Sequence, residues 1–318
     1  MAMMKAVRIH GYGGPEVLHF EEVPRPSPGA GEILVKVHAS GVNPVDWKVR
    51  EGYMREMMPL KLPIVLGLDF SGVVESLGPG VDSLHRGDAV FGRAEITHDG
   101  SYAEYVTVPV GNVVRKPDHI DHVHAAGIPT AALTAWEALI EAPAPAQAAG
   151  VSPGQTVLIH GAAGGVGSFA VQFAKHRGAR VIATASARHA AFVRGLGADV
   201  VVDYTKQRFE DLAHEVDVVL DTIGGETQER SWATLRQGGV LASTVGVNEE
   251  AARKHGARAI AVDGRMSAPI LQRIAALIDS GQVRVPVSQV LPLEETRRAH
   301  EESQSGHVEG KLVLSVAG

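Results

Sequence analysis

The run VLIHGAAGGVGSFAVQFAK, Val157 to Lys175, constrains the fold of this chain more than any other stretch. Thr156 to His160 is a short apolar run that predicts a strand. Gly161-Ala162-Ala163-Gly164-Gly165-Val166-Gly167 follows, and an amphipathic pattern then continues through Lys175. Strand, glycine turn and helix are the parts a βα unit needs to receive a dinucleotide pyrophosphate. Glycines let the backbone approach the phosphates, and the helix start presents N–H groups to their charge. The spacing is G-x-x-G-x-x-G rather than G-x-G-x-x-G, so the surrounding pattern must carry the specificity.

That pattern alternates. Thr156–His160, Arg180–Thr184, Asp199–Asp203, Asp217–Asp221, Gly239–Ser243 and Ala257–Val262 read as strands. Helical patterns at Val166–Arg177, Ala187–Gly195 and Glu226–Arg236 lie between them. Six strands with intervening helices predict an α/β fold with a doubly wound, parallel, six-stranded Rossmann sheet. A helix from Ile128 to Ala142 leads into it, and Pro143-Ala144-Pro145-Ala146 reads as a stiff linker or surface loop. From Met4 to Gly127 short strands are punctuated by Gly and Pro turns, which predicts a small β-rich barrel or sandwich. The tail, with a helix at Ala268–Ser280, extended Val283–Val290, a helix at Leu293–Gln304 and a strand at Lys311–Val316, is expected to rejoin that first domain. The expected domains are therefore 1–127 with 268–318, and 128–267.

Composition excludes more than it selects. A net charge of −6 argues against a nucleic-acid footprint, and the absence of cysteine rules out disulfides and thiolate metal sites. No run of about 18 apolar residues predicts a membrane span, and the start, Met1-Ala2-Met3-Met4-Lys5, reads as cytoplasmic.

NAD-binding units usually carry an acid at the end of the second strand, where it pairs with the ribose hydroxyls. Here that strand ends Thr184-Ala185-Ser186-Ala187-Arg188-His189, with no carboxylate. Ser186 and Arg188 offer a 2′-phosphate a hydroxyl and a planar guanidinium, and Tyr204 adds a second hydroxyl. NADPH is the expected cofactor. Thr222-Ile223-Gly224 and Thr244-Val245-Gly246 end the fourth and fifth strands, at the edge where open α/β sheets bind ligands.

Several further motifs stand in order along the chain. They are Gly11-Tyr12-Gly13-Gly14-Pro15-Glu16-Val17-Leu18, Gly41-Val42-Asn43-Pro44-Val45-Asp46-Trp47-Lys48 and Gly67-Leu68-Asp69-Phe70-Ser71-Gly72. Gly100-Ser101-Tyr102-Ala103-Glu104-Tyr105-Val106, Ala132-Leu133-Thr134-Ala135-Trp136 and Gly306-His307-Val308-Glu309-Gly310-Lys311 complete the set. With the glycine turn, they resemble the zinc-independent quinone oxidoreductases of the medium-chain dehydrogenase/reductase superfamily, which includes zeta-crystallin and plant enone reductases. The resemblance implies a GroES-like substrate domain beside the Rossmann domain. It also implies hydride transfer from NADPH to a quinone or related conjugated carbonyl, and a homodimer. Two alternatives stand beside it: an alkenal, enone or enoyl reductase of the same build, and an NADPH-binding structural or regulatory protein without turnover.

The resemblance also assigns residues. Zinc alcohol dehydrogenases of the superfamily bind catalytic metal where this chain has Asn43, Leu68-Asp69 and Thr130, a weak ligand set for zinc. Lys48 is the first candidate to stabilise a developing oxyanion, with Tyr53 as a hydrogen-bond donor or pocket wall and Asn43 binding ribose or substrate. Thr130 falls near the nicotinamide, and Ile223 and Val245 are assigned to the cofactor by their place at the ligand-binding sheet edge. Ala163, Gly164, Gly165 and Val166 fall at the pyrophosphate, and so does Lys311. Ser186, Arg188 and Tyr204 fall at the adenosine phosphate. Asp46 and Asp69 read as structural acids and Trp47 and Trp136 as packing residues. The His119, His122 and His124 cluster reads as a solvated segment.

Overall fold

Apolar residues on both faces of a strand force that strand inside a layered sheet, and the second half of the chain does this repeatedly. The computed structural model describes residues 2–142 and 147–316; the Pro143–Ala146 linker lies outside the described residues. The chain divides into two compact units, one made of Met1–Thr130 with Met266–Gly318 and the other of Ala131–Arg265.

In the second unit the strands run in the order Val200–Asp203, Arg180–Ala185, Thr156–Ile159, Val216–Asp221, Leu235–Ser243 and Arg258–Ala261. Every pairing is parallel. Val157, Leu158 and Ile159 are completely buried, as expected of a central strand. Leu158, Ile182, Val202, Val219, Leu241 and Trp232 share one apolar core. The chain order reverses direction between Thr156–Ile159 and Val216–Asp221, so ligand-binding loops belong at the carboxyl ends of these two strands. The helix expected at Val166–Arg177 is found at Gly165–His176, but the next two helical patterns are shorter than the sequence suggests. Ala187–His189 is a 3₁₀ turn ahead of the helix Ala190–Gly195. The helix Gly225–Ser231 ends early because Leu235–Ser243 is already strand, beginning four residues before the expected Gly239.

The first unit holds a seven-stranded sheet in the order Val287–Pro292, Lys311–Ser315, Glu32–Val42, Asp69–Leu77, Ala89–Arg93 and Val113–Arg115, with Tyr105–Pro109 paired to the Glu32 end of its central strand. A three-stranded sheet of Leu18–Pro24, Met3–Ile9 and Ile64–Val65 lies in the same unit. The Glu32–Val42 strand is mostly buried, flanked along its edges by Lys311–Ser315, Asp69–Leu77 and Tyr105–Pro109. The tail enters this sheet: Leu312 pairs with Val42 and Ser315 with Ala39. A short helix, Pro44–Arg50, follows the central strand directly.

Candidate functional site

The glycine turn of the second unit is shaped by contacts that only glycine allows. Gly161 has φ +64°, and a Cβ there would lie 2.4 Å from the Thr222 Oγ1. A Cβ on Gly167 would meet the Gly161 carbonyl at 2.2 Å, so the helix Gly165–His176 rides directly on the turn. Gly164 differs. Its added Cβ would meet only the Gly161 carbonyl, at 3.4 Å, so among the described residues nothing crowds the outer face of the turn. Gly164 caps the helix without a side chain, leaving the first-turn amides of Gly165 and Val166 to be approached by an anion. Ala163 is nearly buried in the same turn.

Two buried polar residues, unmarked in the sequence reading, hold this edge together. His160 is buried between Thr184 Oγ1 at 3.1 Å from Nδ1 and Ser231 Oγ at 2.9 Å from Nε2, with its ring edge-on to Phe209. Burial pushes its pKa down to about 4, so it is neutral and structural at pH 7. Asp221, at the end of the fourth strand, accepts the N–H groups of Ile223 and Gly224 at 2.9 Å each, and Gln228 Nε2 at 2.8 Å. The same Gln228 amide donates to the Gly246 carbonyl. Asp221 and Gln228 thereby set two neighbouring loops, on which Ile223 and Val245 stand exposed. A carboxylate closing a strand of apolar residues was the available signal for Asp221; His160 offered none beyond its place next to the glycines.

At the second strand, Ser186 opens the turn that carries Arg188 and His189, and its hydroxyl lies 3.5 Å from the His189 Nδ1. Tyr204 is exposed at the end of the adjacent strand. Beside it stands an acid the sequence reading passed over. Asp203 pairs across from Ala185, accepts both the N–H and the hydroxyl of Thr205, and accepts the amide of Ala187. These donors hold its pKa below the usual range.

In the first unit the assigned residues separate into an inner and an outer group. The inner group centres on Asp69, which is fully buried. Asn43 Nδ2 donates to Asp69 Oδ2 at 3.0 Å, and Thr130 donates its hydroxyl at 2.6 Å and its main-chain N–H at 3.0 and 3.1 Å. Lys311 is buried as well. Its Nζ donates to Asn43 Oδ1 and to the Val42 carbonyl at 3.0 Å, and stands 3.9 Å from Asp69 Oδ2. Asp46, at the start of the Pro44–Arg50 helix, accepts the Asn43 N–H at 2.7 Å and the Tyr102 hydroxyl at 2.8 Å. Burial, with Asp69 adding to it, pushes the Asp46 pKa up to about 7.

The outer group is Lys48 and Tyr53. Lys48 lies over the Trp47 ring at 5.7 Å, and the Tyr53 ring meets the same indole edge-on. Tyr53 is 67% exposed, and hydrogen bonding to the Glu51 carboxylate raises its pKa. The amides of Asn43 and the ammonium of Lys311 are spent on internal partners, whereas Lys48 and Tyr53 face outward. His122 corrects the reading of a solvated histidine segment. It is half-buried, bonded to Ser71 Oγ at 2.7 Å and stacked on His38, with a pKa lowered to about 4.

Matches to known proteins span the chain. A family model described as "Alcohol dehydrogenase GroES-like domain" matches residues 29–118, and one described as "Zinc-binding dehydrogenase" matches residues 196–314. The chloroplast envelope quinone oxidoreductase homolog of Arabidopsis thaliana is 31% identical over 98% of this chain and 98% of its own length. The chain belongs to the quinone oxidoreductase family of medium-chain dehydrogenases/reductases. This family member is also 34% identical, over 98% of its length and 79% of the relative's, to the NADPH-dependent alkenal/one oxidoreductase, chloroplastic, of Arabidopsis thaliana. The structure of the quinone oxidoreductase from Coxiella burnetii superposes with a TM-score of 0.92 at 35% identity, covering 99% of this chain and 100% of that one. The protein is an NAD(P)H-dependent oxidoreductase.

A dinucleotide fits the second unit: the turn is bare at Gly164, the helix start has no side-chain cap, and the sheet edge carries hydroxyls and a guanidinium. The zinc in the name of one matching family model fits the first unit poorly. Among the described residues no group of three or more His, Cys, Asp or Glu is placed to hold a metal ion. Asn43, Asp69 and Thr130 do come together, but an ammonium already stands against them.

Proposed function

We propose that this quinone oxidoreductase family member reduces a quinone or a related conjugated carbonyl with NADPH and without a metal. The observation that carries the reading is the bare glycine turn at the reversal of the parallel sheet, with Ser186 and Arg188 at the neighbouring strand end. Gly164, Gly165 and Val166 would hold the pyrophosphate, with Ala163 beside them. Ser186, Arg188 and Tyr204 would take the 2′-phosphate, Thr130 would serve the nicotinamide, and Ile223 and Val245 would contact the cofactor from the sheet edge. Bound NADPH supplies a hydride. A conjugated carbonyl accepts it because the resulting charge delocalises onto oxygen, so the protein's part is to orient the acceptor, exclude water and supply a donor at that oxygen. Lys48 is proposed for that donor and Tyr53 for a second hydrogen bond or a wall. Lys311 and Asn43, assigned to the cofactor by resemblance, would serve it through the Asp69 cluster. The same reading makes the protein a cytoplasmic homodimer, for which light scattering in solution gives the mass.

The test is NADPH oxidation against 1,4-benzoquinone, 9,10-phenanthrenequinone, an α,β-unsaturated ketone and an alkenal, with NADH in parallel and a chelator control. Turnover with NADPH that survives the chelator is expected. Loss of turnover on chelation would remove the metal-free reading. Preference for the alkenal would favour the second reading, supported by the alkenal/one oxidoreductase relative. NADPH binding with no turnover on any acceptor would leave a binding protein.

A further inference from the structure

The first unit buries an ammonium, and such a group persists inside a protein only where its protons meet oxygen acceptors. Lys311 is 3% exposed. Its acceptors are delivered by strand register. Leu312 pairs with Val42, which places Lys311 at the end of the central strand, where the Val42 carbonyl and the Asn43 amide lie. Asp69 begins the strand on the other side of Glu32–Val42, paired with Gly41, and brings its carboxylate to the same end. Three oxygens from two chain segments therefore converge on one nitrogen carried by a third. The arrangement does more than hold a lysine. An Asn amide can turn over, but here the ammonium claims Oδ1 and Asp69 claims Nδ2, so one orientation is fixed.

We infer that Val42 O, Asn43 Oδ1 and Asp69 Oδ2 form an oxygen cage for a small cation, and that Lys311 is its resident, tethered cation. The ammonium balances the Asp69 carboxylate and thereby positions Asn43 and Thr130. Lys311 is a positioning residue in this scheme. The inference does not depend on which acceptor the protein reduces, and its test needs neither cofactor nor substrate.

Lys311→Ala removes the charge and three methylenes, a void matched by n-propylammonium. Melting temperature is read for wild type and Lys311→Ala with rising n-propylammonium, and with n-propanol as the uncharged control of the same shape. Lys311→Ala should melt lower than wild type. Propylammonium should restore at least half of the loss with saturation, while propanol restores none and the wild type does not move. No saturable recovery, or equal recovery by propanol, would overturn the cage. Should Lys311→Ala fail to fold, the cycle of Lys311→Met, Asp69→Asn and the double variant decides instead. Removing both charges should recover more than half of the loss caused by Lys311→Met alone. Additive losses would mean that Lys311 does not balance Asp69.

Discussion

Arg188 and Asp203 face the cofactor question from opposite sides. Arg188 lies two residues past Ser186, on a turn whose Ala187 amide is held by the Asp203 carboxylate. A guanidinium bonded to a 2′-phosphate is worth about 1.5–3 kcal/mol, and NADH has no such phosphate to lose. Arg188→Ala should therefore raise the NADPH Kd at least tenfold and leave the NADH Kd within a factor of two, read by fluorescence titration. Asp203→Asn should move the NADPH Kd the other way by a smaller factor, because it removes a negative charge next to the proposed 2′-phosphate position, a term of about 1 kcal/mol at most for exposed charges. Equal effects of Arg188→Ala on both cofactors would place the guanidinium elsewhere.

The element that carries most of the proposed cofactor site is the strand, turn and helix from Thr156 to His176, and its glycines have separable duties. At Gly167 an added methyl would strike main-chain atoms of Gly161 and Ala162 at 2.2 and 2.7 Å, and backbone there cannot yield cheaply. Gly167→Ala should cost about 1–3 kcal/mol of stability, seen as a lower melting temperature without ligand. At Gly164 the methyl would project from the bare side of the turn, and a cap of Ala for Gly costs under about 1 kcal/mol. Gly164→Ala should keep nearly the wild-type melting temperature and weaken NADPH roughly tenfold, about 1.4 kcal/mol. A Gly164→Ala variant that binds normally would move the pyrophosphate off this turn. At this scale the sequence was most legible. All six strands of the parallel sheet are readable because each holds a short apolar run between turns, and the central ones are buried on both faces, whereas the edge strands Val200–Asp203 and Arg258–Ala261 are only partly covered. The overrun of the Glu226–Arg236 helix came from a polar start to the fifth strand, Arg236-Gln237-Gly238-Gly239, which has no strand period. The Asp69 cluster was only half legible. Its members are scattered over positions 43 to 311, and only strand register brings Lys311 to Asn43. Asp203 is not legible as the acid of this site because it stands on the third strand and only parallel pairing brings it across from Ala185.

Across the whole molecule, buried titratable groups set how stability answers to pH. His160 and His122 have pKa values lowered to about 4 and His300 to about 3, in each case chiefly by burial. For His300, the Arg50 guanidinium, 3.2 Å from its Nδ1, adds to the effect. In the unfolded chain all three return to about 6.5. Below that pH the unfolded state takes up protons that the folded state refuses, so stability falls as pH drops from 6.5 through 4. Asp46 works in the opposite sense. Its folded pKa of about 7 lies above the 3.8 of the free carboxyl, so its contribution is fully present below 3.8 and is lost as pH rises through 7. Three imidazoles against one carboxyl leave about two protons taken up on unfolding near pH 5, a slope on the order of 2–3 kcal/mol per pH unit favouring neutral pH. Unfolding free energy from urea titrations between pH 4 and 8 should therefore climb steeply to about pH 6.5 and flatten above it. Asp46→Asn isolates the opposing term, because an amide oxygen still accepts from the Asn43 N–H and Tyr102 and no longer ionises. The stability of Asp46→Asn relative to wild type should grow between pH 4 and 7 and hold constant above. A difference that is flat over the whole range would show that Asp46 keeps the pKa of a free carboxyl and therefore stands ionised, a third charge beside Asp69 and Lys311, at neutral pH.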